Sequence, residues 1–362
     1  MPDFDFGTVR SQAIEWNQRP ATPRIALDAD YDKRAVLSAD VWSYVDLWLT
    51  REGADEALLY WMQARKFLQA ADGKDPLTSP LLYYYSFLNS AKALLATKGV
   101  LHSPYHGLGQ ILPSQQRTVL DNERVAIAAA GVFQDLFHYY AGRHLAHQTA
   151  AGHRAEHSVK NLLRNVIVVH AAYNSTFQTH APLPLFEPLH NPWFLQTAAG
   201  DVRLEAGVFA RGLEQLSLRE QNRRISSLLD GQYESFPAGP DGLLICSTMA
   251  LGQDASAAGL ATANRAIHAR LHSIVTPHEQ RFYLRRNRQG ALDWPQAATM
   301  FAAMFHFGSR VRYHPSAMST LLEGQQNWLI GEFLQAAPDQ FTALMASEIT
   351  GCNFQRPYAG LP

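Results

Sequence analysis

Residues 79–98, SPLLYYYSFLNSAKALLATK, carry apolar side chains around nearly the whole circumference of a helix. Ser79 is a favourable N-cap residue, Pro80 suits the first helical position, and Gly99 is a typical stop signal. A helix that is apolar on every side belongs in the interior of a protein. The segment therefore predicts the central buried helix of a helical bundle.

Apolar residues recur at helical spacing on both sides of this segment. The predicted helices cover residues 41–49, 54–71, 121–147, 156–174, 297–311, 316–336 and 338–349. The middle of the chain differs, with strand patterns at residues 201–209, 242–248 and 280–284 and a helix pattern at residues 213–229. The predicted fold class is mainly α: a helical bundle with a small β-containing insertion in the middle.

These patterns divide the chain into four regions. Residues 1–37 lack periodicity, which indicates an extended N-terminal lead-in. The helical patterns of residues 38–190 predict an N-terminal helical bundle. Four prolines between residues 182 and 192 exclude a helix there and indicate a boundary. The patterns of residues 191–292 predict a mixed α/β insertion. Those of residues 293–362 predict C-terminal helices that pack on the bundle.

Charge and cysteine content exclude several classes of protein. The 362 residues carry a formal net charge of −1, whereas nucleic-acid-binding domains are usually basic. No stable nucleic-acid binding is therefore expected, although Arg281, Arg285, Arg286 and Arg288 form a local basic cluster. Two cysteines cannot build a disulfide framework or a four-cysteine zinc site. Without a secretory signal or an apolar span in the sequence, we expect a cytoplasmic protein with peripheral membrane contact at most.

Charged residues make up only 17% of the chain, below the roughly 25% typical of soluble proteins. This shortfall predicts a large buried fraction, an interface between copies of the chain, or both.

The fifteen histidines raise the question of a metal site. His153 and His157 are four residues apart, a spacing that two metal ligands can use on a helix. However, the sequence has no HExxH motif, and it also lacks a Walker A loop and a GxGxxG motif. The prediction is that the chain uses no metal and no cofactor.

One pattern allows a catalytic alternative. Arg164-Asn165 followed by His170 resembles the arginine and histidine pair of HEPN-type ribonucleases. In such a pair, histidine moves a ribose proton while arginine stabilises phosphate charge. Against this alternative, residues six apart on an ideal helix point about 120° away from each other. They would converge only at a frayed helix end or across a dimer.

Six further residues are candidates for binding contacts, each with a purely structural role as the alternative. His106 and Gly107 lie in a loop after the central helix, and binding residues are frequent in loops. Asn89 and Lys92 are the polar exceptions within the central helix, so they need partners. Arg310 and Arg312 precede Tyr313 and predict a cationic pocket.

Several blocks resemble the YaaC-like family of bacterial proteins. They are SPLLYYYSFLNSAKALL at residues 79–95, HGL at residues 106–108, residues 64–71, VVH at residues 168–170, and residues 304–315 with SRVRYHP, continued by Leu321, Leu322, Trp328, Phe333, Leu334, Glu348 and Ile349. The resemblance touches both ends of the chain, and the middle matches less clearly. It supplies no catalytic residues.

This resemblance implies a function through binding. Some YaaC-like proteins belong to anti-phage defence, and the chain is similar to the sensor of a two-protein system directed against nucleus-forming jumbo phages. The resemblance implies a non-enzymatic sensor or adaptor that recognises an early infection component and acts with a partner effector protein. The alternative is a metal-independent, HEPN-like ribonuclease toxin that uses Arg164 and His170.

Overall fold

The computed structural model describes residues 11–16, 18–100, 103–112, 119–177, 185–209, 233–236, 243–276, 280–286 and 290–355. The chain divides into two compact units. The sheet unit comprises Met1–Arg34, Pro184–Ser273 and Gln280–Gln289. The helical unit comprises Ala35–Leu183, Ile274–Glu279 and Gly290–Pro362.

The described strands are β1 (Ser11–Ala13), β2 (Glu15–Trp16), β3 (Arg19–Pro20), β4 (Val36–Leu37), β5 (Leu108–Ile111), β6 (Arg124–Ile127), β7 (Glu156–Ser158), β8 (Phe186–Thr197), β9 (Val202–Phe209), β10 (Tyr233–Phe236), β11 (Leu243–Thr248), β12 (Leu271–Val275), β13 (Gln280–Arg285) and β14 (Phe354–Gln355). The described helices are α1 (Val41–Arg51), α2 (Asp55–Ala71), α3 (Ser79–Thr97), α4 (Val132–Ala141), α5 (Val159–Arg164), α6 (His170–Thr176), α7 (Ala257–His268), α8 (Gln296–Tyr313), α9 (Pro315–Glu323) and α10 (Asn327–Thr350), with a 3₁₀ turn at Ile167–Val169.

Helix α3 confirms the prediction for residues 79–98 and lies at the centre of the helical unit. It packs against α2, α8 and α10. The ring of Phe87 stacks on Phe341 of α10, with 3.9 Å between centroids. The backbones of α3 and α8 approach closely at Gly308, where an added Cβ would lie 2.9 Å from the Cβ of Tyr84. A small residue in α8 therefore makes room for the tyrosine run of α3.

The prediction of a mainly α bundle is wrong. The structure is 47% helical and 20% strand, and it contains several sheets. Within the helical unit, β5, β6 and β7 form a three-stranded antiparallel sheet, and β4 pairs with β14. Residues 121–147, predicted as one helix, contain β6 and the shorter helix α4. The apolar residues 125–127 are compatible with a helix or a strand. The pairing of β6 with β5 on one side and β7 on the other selects the strand.

The sheet unit is built on a seven-stranded sheet. Six of its strands follow the order β10-β11-β9-β8-β13-β12, and the seventh, β1, pairs with β8. The predicted strands at residues 201–209, 242–248 and 280–284 are confirmed as β9, β11 and β13. The predicted helix at residues 213–229 lies outside the described residues. Strand β8 tolerates proline because Pro192 falls in a bulge between His190 and Trp193.

One face of this sheet forms a hydrophobic core with α7 and the N-terminal segment. Alternate residues of β9, such as Leu204 and Ala206, are buried there beside Leu260 of α7. Asn264 of α7 fixes the N-terminal segment, since its side chain accepts from the backbone N–H of Arg24 and donates to the carbonyl of Ala26, each at 2.8 Å. The predicted insertion is thus part of a larger sheet that includes residues 11–13.

Candidate functional site

The helical unit contains a buried ion cluster of Glu123, His306 and Arg310. All three side chains are almost wholly excluded from solvent. Arg310 donates to both carboxylate oxygens of Glu123, through Nε at 3.0 Å and through a guanidinium nitrogen. His306 Nε2 lies 2.5 Å from the same carboxylate. Of the three, only Arg310 was a candidate from the sequence. Its partner Glu123 lies about 180 residues earlier in the chain, so no local pattern connects the carboxylate to His306 and Arg310.

The ionisation states of the buried ion cluster follow from its contacts. Burial alone raises the pKa of Glu123, but hydrogen bonds from His306 and Arg310 outweigh it and hold this pKa below its usual value. Burial lowers the pKa of His306, and the Glu123 carboxylate opposes that effect only in part. A neutral His306 then donates from Nε2 to Glu123. Its Nδ1 can accept from the side chain of Gln110, 3.4 Å away.

Arg310 and Arg312 do not form the predicted cationic pocket together. Residues two apart on a helix differ by about 200° in direction, so they project from nearly opposite faces. Arg310 points into the core, whereas Arg312 is exposed and donates to the hydroxyl of Tyr85 at 3.1 Å. The two arginines therefore serve separate contacts.

His106 and Gly107 lie where the chain caps the N-terminus of α4. The backbone N–H of Val132 donates to the carbonyl of Tyr105 at 2.8 Å, and that of Phe133 donates to the carbonyl of His106 at 3.1 Å. These bonds satisfy donors that a helix N-terminus otherwise leaves open. The loop crosses Gly131 so closely that a Cβ on Gly131 would overlap the Gly107 backbone.

Asn89 and Lys92 have local partners within the helical unit. Asn89 is buried and donates to the carbonyl of Tyr85, one turn earlier, at 2.8 Å. The ammonium of Lys92 lies over the ring of Tyr60 in α2, 5.3 Å from its centroid. Both residues thus take part in packing α3, and the structure does not place them beside His106.

The helix predicted over residues 156–174 is broken between Arg164 and His170. The chain leaves α5 after Arg164, passes through extended backbone at Val166, and restarts as α6 at His170. Burial, and to a smaller extent the charge of Arg164, lower the pKa of His170 to about 4. His170 Nε2 lies 3.1 Å from the side-chain nitrogen of Asn174. Residues 156–174 are therefore not the continuous helix predicted from periodicity.

Asn165 and Gln296 hold this break in place. The amide of Asn165 donates to the carbonyl of Gly290 at 2.9 Å and accepts from the backbone N–H of Leu292 at 2.8 Å. The side chain of Gln296 donates to the Asn165 carbonyl and accepts from the N–H of Ile167. The backbone groups released by the break are thus satisfied by two buried amides, which fixes the position of His170.

The buried neutral histidines predict loss of stability in mild acid. His170 has a folded-state pKa near 4, whereas its ordinary value is 6.5, so between these pH values the unfolded chain binds the extra proton. The contribution of His170 is complete above pH 6.5 and falls as the pH decreases toward 4, by up to about 3 kcal/mol. Urea unfolding at pH 7 and pH 4.5 measures this loss. His170→Gln should reduce this loss of stability. His153→Gln is the control, because His153 is exposed, and it should not reduce the loss. Equal pH dependence in the unchanged protein and in both variants would contradict the assignment.

Two further properties concern the described residues alone. Within them, no group of three or more histidine, cysteine, aspartate or glutamate side chains is arranged to hold a metal ion. His138 and His144 stack with 4.4 Å between ring centroids, and His157 packs against Trp294 instead of joining His153. In the same part of the chain, no helix combines the length and apolar character needed to cross a membrane.

Comparison with known proteins identifies a family for most of the chain. The sequence profile of a family described as YaaC-like Protein matches residues 15–349, which covers most of both units. No curated protein matches the chain, and no solved structure matches it.

Proposed function

Since the chain belongs to the YaaC-like family, we propose that it is a non-enzymatic sensor or adaptor of bacterial anti-phage defence. It acts by recognising an early infection component and engaging a partner effector protein. The observation that carries this proposal is the family match over residues 15–349, joined to the sequence resemblance to a defence sensor.

The surface and core of the helical unit support a role in binding. Several aromatic side chains of this unit are exposed, and aromatic residues are enriched where proteins meet their partners. Tyr105, Tyr313 and Trp328 are each more than half exposed, as is Leu59 of α2. By contrast, the charges of the buried ion cluster neutralise one another inside the core, so this cluster serves folding. The same exposed residues suit contact with an effector, a membrane-bounded infection structure or a second copy of the chain.

The ribonuclease alternative has one favourable observation. Arg164 lies close enough to His170 for its charge to contribute, after burial, to lowering the pKa of the histidine. However, a histidine with a pKa near 4 is a weak base at neutral pH, whereas efficient general acid–base groups have pKa values near the working pH. This low pKa argues against His170 as the general base of a ribonuclease.

One double variant separates the two functions. Arg164→Ala with His170→Ala should leave protection against phage equal to that of the unchanged protein, because neither side chain is needed for a binding role. Plaque counts on cells expressing each protein measure protection, and thermal unfolding verifies that the variant folds. Loss of protection in a folded variant, together with RNA cleavage that His170→Ala abolishes, would replace the sensor by the nuclease.

A further inference from the structure

The helical unit has a surface of aromatic and cationic side chains where α3, the C-terminal end of α8 and the loop before β5 meet. Tyr84 of α3 lies at its centre, with ring centroids 5.6 Å from Phe305 of α8 and 6.5 Å from His106 of the loop. Arg312 of α8 donates to the hydroxyl of Tyr85, the next residue of α3, at 3.1 Å. We call Tyr84, Tyr85, His106, Arg312 and Tyr313 the tyrosine–arginine surface.

Tyr84 contributes a hydroxyl that has no partner inside the protein. Only 7% of Tyr84 is exposed, and within the described residues its hydroxyl makes no hydrogen bond. Burial raises the pKa of Tyr84, as do the neighbouring Tyr85 and Tyr313, while the Arg312 guanidinium opposes the increase. The hydroxyl therefore stays protonated at neutral pH and is available as a donor. A polar group on a side chain buried this deeply is normally hydrogen-bonded, so the open donor indicates where an atom of a partner binds.

The other polar groups of the surface are donors as well. The Nδ1 atom of His106 accepts from the backbone N–H of Leu108 at 3.2 Å, so the proton of the neutral ring lies on Nε2. Burial lowers the pKa of His106, which favours this neutral form. Arg312 uses one nitrogen for Tyr85, and a guanidinium has further N–H donors and no acceptor. The chemical complement of such a set is a group that only accepts, as a carboxylate does.

No described carboxylate neutralises Arg312. Within the described residues, its side chain contacts the Tyr85 hydroxyl and the ring of Tyr313, whose centroid lies 5.0 Å from the guanidinium carbon. Arg143 of the same unit differs, because it pairs with Asp293 at 3.1 Å. Arg312 thus presents a positive charge on an exposed surface, and a negatively charged partner complements it.

The surface is ordered before a partner binds. The ring of Tyr85, which holds Arg312, stacks on Phe67 of α2 with 5.2 Å between centroids. Side chains fixed in advance lower the entropy cost of association. Tyr313 is 60% exposed and Tyr105 of the loop is 74% exposed, so these rings stand out from the protein. Small molecules favour concave sites that enclose them, whereas tyrosine and arginine carry much of the binding energy between proteins. The observations therefore favour a protein segment as the ligand.

We propose that the tyrosine–arginine surface binds a partner protein through an acidic segment. A carboxylate of that segment accepts hydrogen bonds from Arg312 and from the hydroxyl of Tyr84, and an adjacent aromatic side chain packs on Tyr313. Hydrogen bonds between a guanidinium and a carboxylate are short and strong because both groups are charged. The inference concerns the chemistry of the partner and does not depend on a role in defence, because the measurements below need no phage.

Selection from a library of short random peptides displayed on yeast tests the proposal, with the full chain as the bait. Peptides retained by the unchanged protein should be enriched in aspartate or glutamate beside an aromatic residue. Arg312→Ala should lose this enrichment, because the guanidinium that recognises the carboxylate is absent. The proposal is overturned if the unchanged protein retains no peptides, or if acidic residues are no more frequent among them than in the library.

Fluorescence anisotropy with one selected peptide, synthesised with a fluorophore, measures the individual contacts. Arg312→Ala should weaken binding at least about tenfold. Tyr84→Phe should weaken it about tenfold, because this change removes a donor to a charged acceptor. The variant keeps the ring that packs on Phe305, so its thermal unfolding should match that of the unchanged protein. Arg51→Ala is the matched control, since Arg51 is an exposed arginine at the end of α1, and its affinity should be unchanged.

A modified peptide tests the role of the carboxylates. With asparagine in place of aspartate and glutamine in place of glutamate, the peptide should bind at least about tenfold more weakly. Equal affinity for this amide peptide would overturn the proposal. An effect of Arg312→Ala no larger than that of Arg51→Ala would overturn it as well.

Discussion

Arg310→Ala should lower the free energy of unfolding of the helical unit by about 3–5 kcal/mol. The reason is the ionised carboxylate of Glu123, which has no exposure to water and receives two hydrogen bonds from the Arg310 guanidinium. Without that partner, the charge of Glu123 remains buried beside a neutral His306. Urea unfolding followed by circular dichroism at pH 7 gives the change, read from the shift in midpoint at constant slope.

Arg312→Ala provides the matched control on the same helix. Arg312 is exposed and bonds to one tyrosine hydroxyl, so its loss should cost less than about 1 kcal/mol. Arg310→Lys should recover only part of the stability, because an ammonium cannot reproduce the two-nitrogen contact with the carboxylate. Similar unfolding midpoints for Arg310→Ala and Arg312→Ala would show that the buried ion cluster does not carry the stability assigned to it.

Gly131→Ala should destabilise the helical unit by about 3 kcal/mol or more. Gly131 has φ +138° immediately before α4, a conformation that residues with a Cβ rarely adopt. An added Cβ would also overlap the Cα and backbone nitrogen of Gly107, and backbone atoms cannot rotate away as a side chain does. Thermal and urea unfolding of the variant measure the effect.

Gly142→Ala is the control for backbone conformation alone. Gly142 ends α4 with φ +66°, and no atom lies within 4 Å of the position that its Cβ would take. That substitution should cost about 1 kcal/mol. A cost at Gly131 no larger than the cost at Gly142 would mean that the loop carrying His106 and Gly107 can move aside.

The candidate residues were partly predictable from sequence. The pattern of an arginine and a histidine six residues apart identified Arg164 and His170, but helical geometry indicated that they diverge. The segment departs from that ideal helix because Asn165 and Gln296 stabilise a break within it, and Gln296 lies about 130 residues away along the chain. Arg310 was identified without its partner, since no local pattern connects it to Glu123.

The sequence by itself determined the elements whose periodicity is strong and local. It specified α3, whose apolar residues leave no polar side, and the alternating strands β9 and β13. It also carried the family resemblance, which the match over residues 15–349 confirms.

Only the tertiary structure decided the rest. Residues 124–127 became a strand because β5 and β7 supply hydrogen-bond partners on both sides, which outweighs a helical pattern of apolar residues. Residues 186–197 became a strand that includes Pro192 because a bulge between His190 and Trp193 accommodates the missing donor. The side on which Arg281, Tyr283 and Arg285 project was likewise fixed by sheet register, since burial of Phe282 and Leu284 leaves the alternate residues on the opposite face.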